Sequence, residues 1–243
     1  MLSLVIPAHN EAKTLQKTIL DLKAELEKHS IDYEIVVVDD HSTDNTREVL
    51  STLQGDILKL QPTQNSGPPG FGFAVRAGLE VFKGDIVAVV MADGSDLPQD
   101  IVRFFREIEK GYECAFGSRF IKGSTVIEYP WLKLALNRVA NIFIQLLFQL
   151  KYNDVTNAFK MYRRSVIEGL KPFLSHHFNL TVELPLKAIV RGYTYSVVPN
   201  TWINRKEGIS KFKIREMGSR YLFIIIYCFI EKWLSSGDYR RKK

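Results

Sequence analysis

Two acids, Asp93 and Asp96, stand three residues apart in the stretch VVMADGSDLPQD, directly after an apolar run that reads as a buried strand. Carboxylates at such a strand end suit a divalent cation held against a phosphate, because hard cations take oxygen ligands and open α/β sheets bind beyond the carboxyl ends of their strands. A plainer reading is an Asx turn and a cap for the helix opening near Pro98, and this stretch alone does not separate the two. Four more groups occupy equivalent places. Pro7, Ala8, Asn10 and Glu11 follow the first apolar run, Asp39 and Asp40 end the second, the glycine-rich residues 67–72 follow the third, and Gly117, Ser118 and Arg119 end a later one. Acids at successive strand ends repel one another unless a cation or a donor-rich ligand lies among them, which favours a site.

The elements that must position these groups alternate. Strands are expected at 2–6, 34–38, 57–60, 86–91 and 114–117, with helices to about 28, over 44–53, 73–82 and 98–110 between them. That alternation predicts an α/β fold, a mostly parallel sheet with helices on both faces. Beyond Ser118 the pattern gives a very apolar helix over 129–150, a helix over 181–191, a strand near 193–198 and a last helix over about 213–234. Lys133, Asn137, Arg138, Asn141 and Gln145 interrupt the first of these, which argues against a membrane span. The run YLFIIIYCFI in the last helix is too short to cross a bilayer. Its basic flanks, Arg215, Arg220, Lys232 and the tail RRKK, predict a helix lying in the membrane interface, with packing against the domain or a dimer partner as the alternative.

The chain of 243 residues carries a net charge of +6, yet residues from Arg205 onward hold an excess of seven positive charges, so the remainder is close to neutral. The only two cysteines, Cys114 and Cys228, lie in apolar segments, as in a reducing compartment. The N-terminus lacks a basic leader, so a cytoplasmic chain is expected. Nucleic acid is not an expected partner, since the basic residues accompany an apolar helix and no base-stacking or groove-reading motif. The GPPGFG loop is not the dinucleotide fingerprint.

VIPAHNEA, EIVVVDDHSTDNT and VVMADGSDLPQD, in that order, resemble the nucleotide-sugar half of the inverting family 2 glycosyltransferases, with the type-A glycosyltransferase fold. GSRF at 117–120, DVTNAFKMYRR at 154–164 and the spacing of Arg205, Gly208, Ser210 and Lys211 narrow the resemblance to dolichol-phosphate mannose synthases and polyprenyl-phosphate relatives. It implies a nucleotide-sugar donor, a polyprenyl or dolichyl phosphate acceptor, and peripheral attachment to the cytoplasmic membrane face, alone, as a homo-oligomer or through a membrane protein. Residues 1–212 would form the catalytic domain, with the nucleotide-sugar half to 118 and the acceptor half after it. Residues 213–243 would be the interfacial helix and basic tail.

The resemblance further implies that Pro7, Ala8, Asn10, Glu11, Asp39, Asp40, Ala92 and Asp93 line the nucleotide pocket. Asp93 and Asp96 would hold Mg²⁺ or Mn²⁺ on the diphosphate, Arg119 and Arg138 would meet the acceptor phosphate, and Arg205 and Lys211 would close over the diphosphate. Asn157, Phe159 and Glu183 would shape the sugar and acceptor side. The chain departs from the family's acidic triplet, carrying Ala92 and Gly94 where two Asp are usual, so metal binding is expected to be moved or weakened relative to it. Transfer to a saccharide or protein hydroxyl is an alternative that needs a general base, Asp96 or Glu183. A second is a nucleotide-sugar-binding protein without catalysis.

Overall fold

The computed structural model describes residues 1–204, 214–235 and 238–241. Seven strands form the central sheet: β1 (Leu2–Ala8), β2 (Tyr33–Asp39), β3 (Leu60–Gln64), β4 (Ile86–Val89), β5 (Cys114–Ser118), β7 (Lys160–Arg163) and β8 (Tyr195–Pro199). A small second sheet pairs β6 (Thr125–Ile127) with β9 (Thr201–Ile203). The main sheet runs β3-β2-β1-β4-β7-β5-β8, parallel except for β7, which is antiparallel to both neighbours. β1 and β2 are buried along their whole length, because helices cover both faces.

The two faces follow from side-chain alternation. Leu2, Leu4 and Ile6 face α1 (Leu15–Lys28), α2 (Thr46–Asp56) and α4 (Pro98–Glu109). Val5, Val36, Val38, Val87 and Val89 face the opposite core. That core is built from α3 (Phe71–Val81), α5 (Trp131–Phe148), α6 (Arg164–Gly169), α7 (Leu180–Val190) and α8 (Ile214–Trp233).

One expectation needs correction. The third strand is Leu60–Gln64 and not 57–60, since α2 continues to Asp56 and Ile57 packs into the core behind it. As an edge strand β3 tolerates polar residues and Pro62, so its sequence lacks the apolar signature. The antiparallel β7 was not foreseen, because its partners lie far off in sequence, Val89 and Phe116 both pairing with Lys160. The last helix also does more than present one apolar face. Ile224, Ile225 and Cys228 are buried, and the Arg191 guanidinium of the α7 end binds Glu231 at 2.7 and 3.0 Å. Lys232 donates to Phe148 O at 2.5 Å, fastening α8 to the end of α5.

Candidate active site

The sheet gathers the five chemistry-bearing groups on one edge, where β1, β2, β3, β4 and β5 all end. After β4 the chain turns through Gly94, whose φ of +70° is the left-handed backbone that favours glycine. Asp93 Oδ1 accepts the Ser95 N–H at 3.1 Å, so the Asx-turn reading holds for Asp93. It does not hold for Asp96, which is only 6% exposed and whose Oδ2 has no hydrogen-bond partner. Burial, then the neighbouring Asp93 charge, pushes the Asp96 carboxyl up to about 7, against a hydrogen bond from the Met91 backbone and the Arg119 charge. β9 clips this turn in place, with Ile203 N–H on Ser95 O at 3.0 Å and Thr201 N–H on Asp100 Oδ2 at 2.7 Å.

At the ends of β1 and β2 the polar groups interlock. Asn10 Oδ1 accepts Thr43 N–H at 2.7 Å, and the Glu11 and Ala12 amides donate to Thr46 Oγ1 and Asp44 Oδ2. Asp39 accepts from Ser42 N–H and from Arg47 Nε at 2.7 Å; burial alone would raise its pKa, but these bonds outweigh it and the net shift is downward. Asp40 holds the glycine-rich loop, accepting Asn65 Nδ2 at 2.7 Å and Gly70 N–H at 2.9 Å. Gly72 in that loop lies so close to residues 176–177 that a Cβ would stand 2.5 Å from His176 C.

Across the edge lies the basic group. Arg119 is 8% exposed and forms a bidentate pair with the fully buried Asp154, Nε–Oδ2 2.8 Å and Nη2–Oδ1 2.7 Å. Burial alone would lower the guanidinium's pKa, but Asp154 more than offsets it, so Arg119 stays charged. Arg138, on α5, donates to Asn153 O at 3.1 Å, and Phe120 sits between the two arginines, 5.4 and 4.3 Å from their guanidinium carbons. Tyr221 of α8 reaches the same region, within electrostatic range of Arg119, and donates to Phe178 O at 3.3 Å. Arg205 and Lys211 lie outside the described residues.

Residues 3–170 match the model of Glycosyl transferase family 2. The chain belongs to that family. Polyprenol monophosphomannose synthase of Mycolicibacterium smegmatis is 30% identical over 232 residues, 89% of this chain and 86% of that one. Dolichol-phosphate mannosyltransferase of Pyrococcus furiosus is 30% identical over 218 residues, and the match spans 87% of this chain and 59% of that longer protein. Among solved structures, glucosyl-3-phosphoglycerate synthase from Mycobacterium tuberculosis, crystallised with Mn²⁺, UDP-glucose and phosphoglyceric acid, superposes with a TM-score of 0.69. It covers 96% of this chain and 79% of its own at 17% identity, a likeness of fold that bears out the type-A glycosyltransferase architecture.

Within this family 2 enzyme, the residues present fit a divalent cation. Two carboxylates on one turn, one with an orphaned buried oxygen, are what a Mg²⁺ or Mn²⁺ ion shared with substrate phosphates requires. Glu183, by contrast, is not available as a base. Its carboxylate accepts Leu174 N–H, Ser175 N–H and Lys187 Nζ at 2.6–2.8 Å with no exposure. Asn157 and Phe159 are likewise core residues, Asn157 bonded to Asn200 at 3.0 Å and Phe159 packed on Phe104. Lys160 escaped the sequence reading. Its buried Nζ meets the carbonyls of Val155, Asn157 and Thr181, joining the Asp154 turn to the start of α7. Burial pushes its pKa down to about 7, while three carbonyl acceptors match the three ammonium protons. The available signal was a lysine inside an otherwise apolar strand pattern.

Proposed function

We propose that this enzyme moves a hexose from a nucleoside diphosphate sugar to a polyprenyl phosphate at the cytoplasmic face of a membrane. The observation that carries the proposal is the pairing on one sheet edge of Asp96, with its orphaned Oδ2, and two arginines opposite, the buried Arg119 and the half-buried Arg138. The names of the two curated relatives support the acceptor class. A phosphate monoester is largely dianionic at neutral pH and needs no strong base to attack the anomeric carbon. The chain must bring two anions together. Arg119, oriented by Asp154, and Arg138, steadied by Phe120 and Asn153, hold the acceptor phosphate in line behind the sugar. The ends of β1 and β2 hold the nucleoside, and Asp93 and Asp96 would hold Mg²⁺ or Mn²⁺, which supplies charge neutralisation for the departing diphosphate. Glu183 being fully engaged weakens transfer to a hydroxyl.

Membrane attachment rests on α5, which leaves much of its apolar surface outside. Its inner face mixes asparagines with Ile144 and Phe148: Asn141 is fully buried and bonds Asn137 and Thr156, while Asn137 also reaches Thr156 at 2.7 Å. Many of its other apolar residues face outward, Trp131 78%, Val139 66% and Leu146 75% exposed, with Leu136 and Phe143 beside them. Leu222, Phe223, Ile226 and Ile230 of α8 are exposed too. Apolar surface of this extent beside basic residues suits an anionic bilayer surface. Both cysteines are free and buried, in keeping with a reducing compartment.

The deciding assay offers GDP-mannose, UDP-glucose and UDP-N-acetylglucosamine with one short polyprenyl phosphate and with a free sugar alcohol, in Mn²⁺ or chelator. Transfer to the lipid phosphate alone, lost with chelator, is expected; transfer only to the alcohol overturns the proposal. For attachment, Leu136→Glu with Val139→Asp should abolish co-sedimentation with anionic vesicles while leaving nucleotide binding intact. Undiminished sedimentation would move the contact elsewhere. Deleting residues 220–243 is a poorer probe, because it also removes the buried Ile224, Ile225 and Cys228.

A further inference from the structure

We infer that Lys160 is a positioning residue for the acceptor phosphate, its buried ammonium fastening the turn that holds Arg119 and Arg138 to a gap that Pro185 leaves in α7. The inference rests on the acceptor reading of those two arginines proposed above. Both are held by the turn over residues 153–157. Asp154 takes the Arg119 guanidinium and backbone N–H, and Asn153 O accepts from Arg138 at 3.1 Å. Asn153 Nδ2 donates to Phe120 O at 3.0 Å, and Thr156 Oγ1 accepts from Asn137 and Asn141 of α5, the helix that carries Arg138. The turn closes on itself through Asn157 N–H, which donates to Asp154 O at 3.0 Å. Two of its other carbonyls take their donors from Lys160 Nζ, Val155 O at 3.0 Å and Asn157 O.

The third acceptor of Lys160 is Thr181 O, at 3.1 Å in the first turn of α7. In an α-helix that carbonyl would accept the N–H four residues on, but the residue there is Pro185, which has none. The proline therefore leaves open the carbonyl that receives Lys160. Lys160 itself pairs in the sheet with Val89 and with Phe116, on the strands that lead to Asp93 and Asp96 and to Arg119. It is only 2% exposed, a place where an apolar side chain would pack without the desolvation cost of an ammonium. Three carbonyls matched to three protons offset that cost, and they join the turn, α7 and the middle of the sheet at one atom. Without that atom two carbonyls of the turn and one of α7 lose their donor, and the turn loses its tie to the helix. Arg119 takes its direction from Asp154 within that turn, and a small displacement of a phosphate-holding guanidinium is costly to alignment of the reacting groups.

The test measures KM for a short polyprenyl phosphate, and separately KM for whichever of GDP-mannose, UDP-glucose and UDP-N-acetylglucosamine wild type accepts. Assays use the full chain, well below the thermal midpoint of each variant. Lys160→Met keeps the length of the side chain and removes its donors. Its acceptor KM should rise about tenfold or more, the effect of losing hydrogen bonds to a charged group, with donor KM within about twofold of wild type. Lys160→Arg returns charge and donors and should recover most of the acceptor affinity. Pro185→Ala gives α7 an N–H that competes for Thr181 O, so acceptor KM should rise about threefold with donor KM unmoved. An unchanged acceptor KM in Lys160→Met overturns the inference, as does a joint rise of both KM values or a Lys160→Arg no better than Lys160→Met. An unchanged acceptor KM in Pro185→Ala removes the α7 anchor, and overturns the inference outright where Lys160→Met does not fold. Wild type that transfers to a sugar alcohol and not to the lipid phosphate would sink the acceptor reading itself, before any variant is compared.

Discussion

Asp96→Asn should abolish sugar transfer, a loss on the order of 10³-fold, and at the same time stabilise the metal-free protein at pH 8. The two effects have one cause. Asp96 is buried with an orphaned Oδ2 beside Asp93, and its folded-state pKa lies near 7 against an ordinary 3.8. Between those values the native state keeps a proton that the unfolded chain has lost, so the contribution of this group to stability falls as pH rises from about 4 through 7. A shift of that size corresponds to at most about 4 kcal/mol, and a cation on the carboxylate offsets it. Urea midpoints at pH 6 and pH 8 should therefore separate in the metal-free wild type and converge when Mn²⁺ is added. In Asp96→Asn they should converge without the ion. A variant that retains transfer, or that is less stable than wild type at pH 8, would mean that Asp96 is a structural acid and that the cation sits elsewhere.

That turn also shows how far sequence could go. VVMADGSDLPQD places two acids at a strand end, and the structure keeps both readings, with Asp93 capping its own turn and Asp96 left with one oxygen unbonded. Local signals of this kind, an apolar run closed by turn-forming or polar residues, made β1, β2, β4 and β5 and their loops legible. What stayed hidden depends on contacts between distant residues. β7 enters the sheet between β4 and β5 by pairing Lys160 with both Val89 and Phe116, and nothing within KMYR announces a direction. The pairing of Arg119 with Asp154 joins residues 35 apart, and α5 reads as a broken apolar helix until Asn137 and Asn141 are seen to face the domain. Two of its polar breaks, Asn137 and Asn141, join Ile144 and Phe148 on the inner face, and Trp131, Leu136, Val139, Phe143 and Leu146 form the outer one, so periodicity was present but its sense, which face is inside, was not.

The Arg119–Asp154 pair carries the second large expectation. Asp154→Asn preserves the shape of the side chain and an oxygen for the Arg119 N–H, which Asp154 Oδ2 accepts at 2.9 Å. It removes the charge that opposes a guanidinium only 7% exposed. Breaking one partner of a buried pair typically costs about 3–5 kcal/mol, because the other charge is left without compensation. The variant should melt markedly earlier and, where still folded, bind polyprenyl phosphate poorly, since the guanidinium no longer has a fixed direction. Arg119→Met combined with Asp154→Asn separates structure from chemistry. With no charge left to compensate, the double variant should recover much of the stability lost by Asp154→Asn alone, but no transfer, because the phosphate has lost its deepest cation. The readouts are thermal midpoint, and KM for acceptor and for donor measured separately. A stable double variant with near-normal acceptor KM would reduce Arg119 to a strut for the 153–157 turn. A raised acceptor KM with the donor KM unmoved would place its guanidinium on the lipid phosphate.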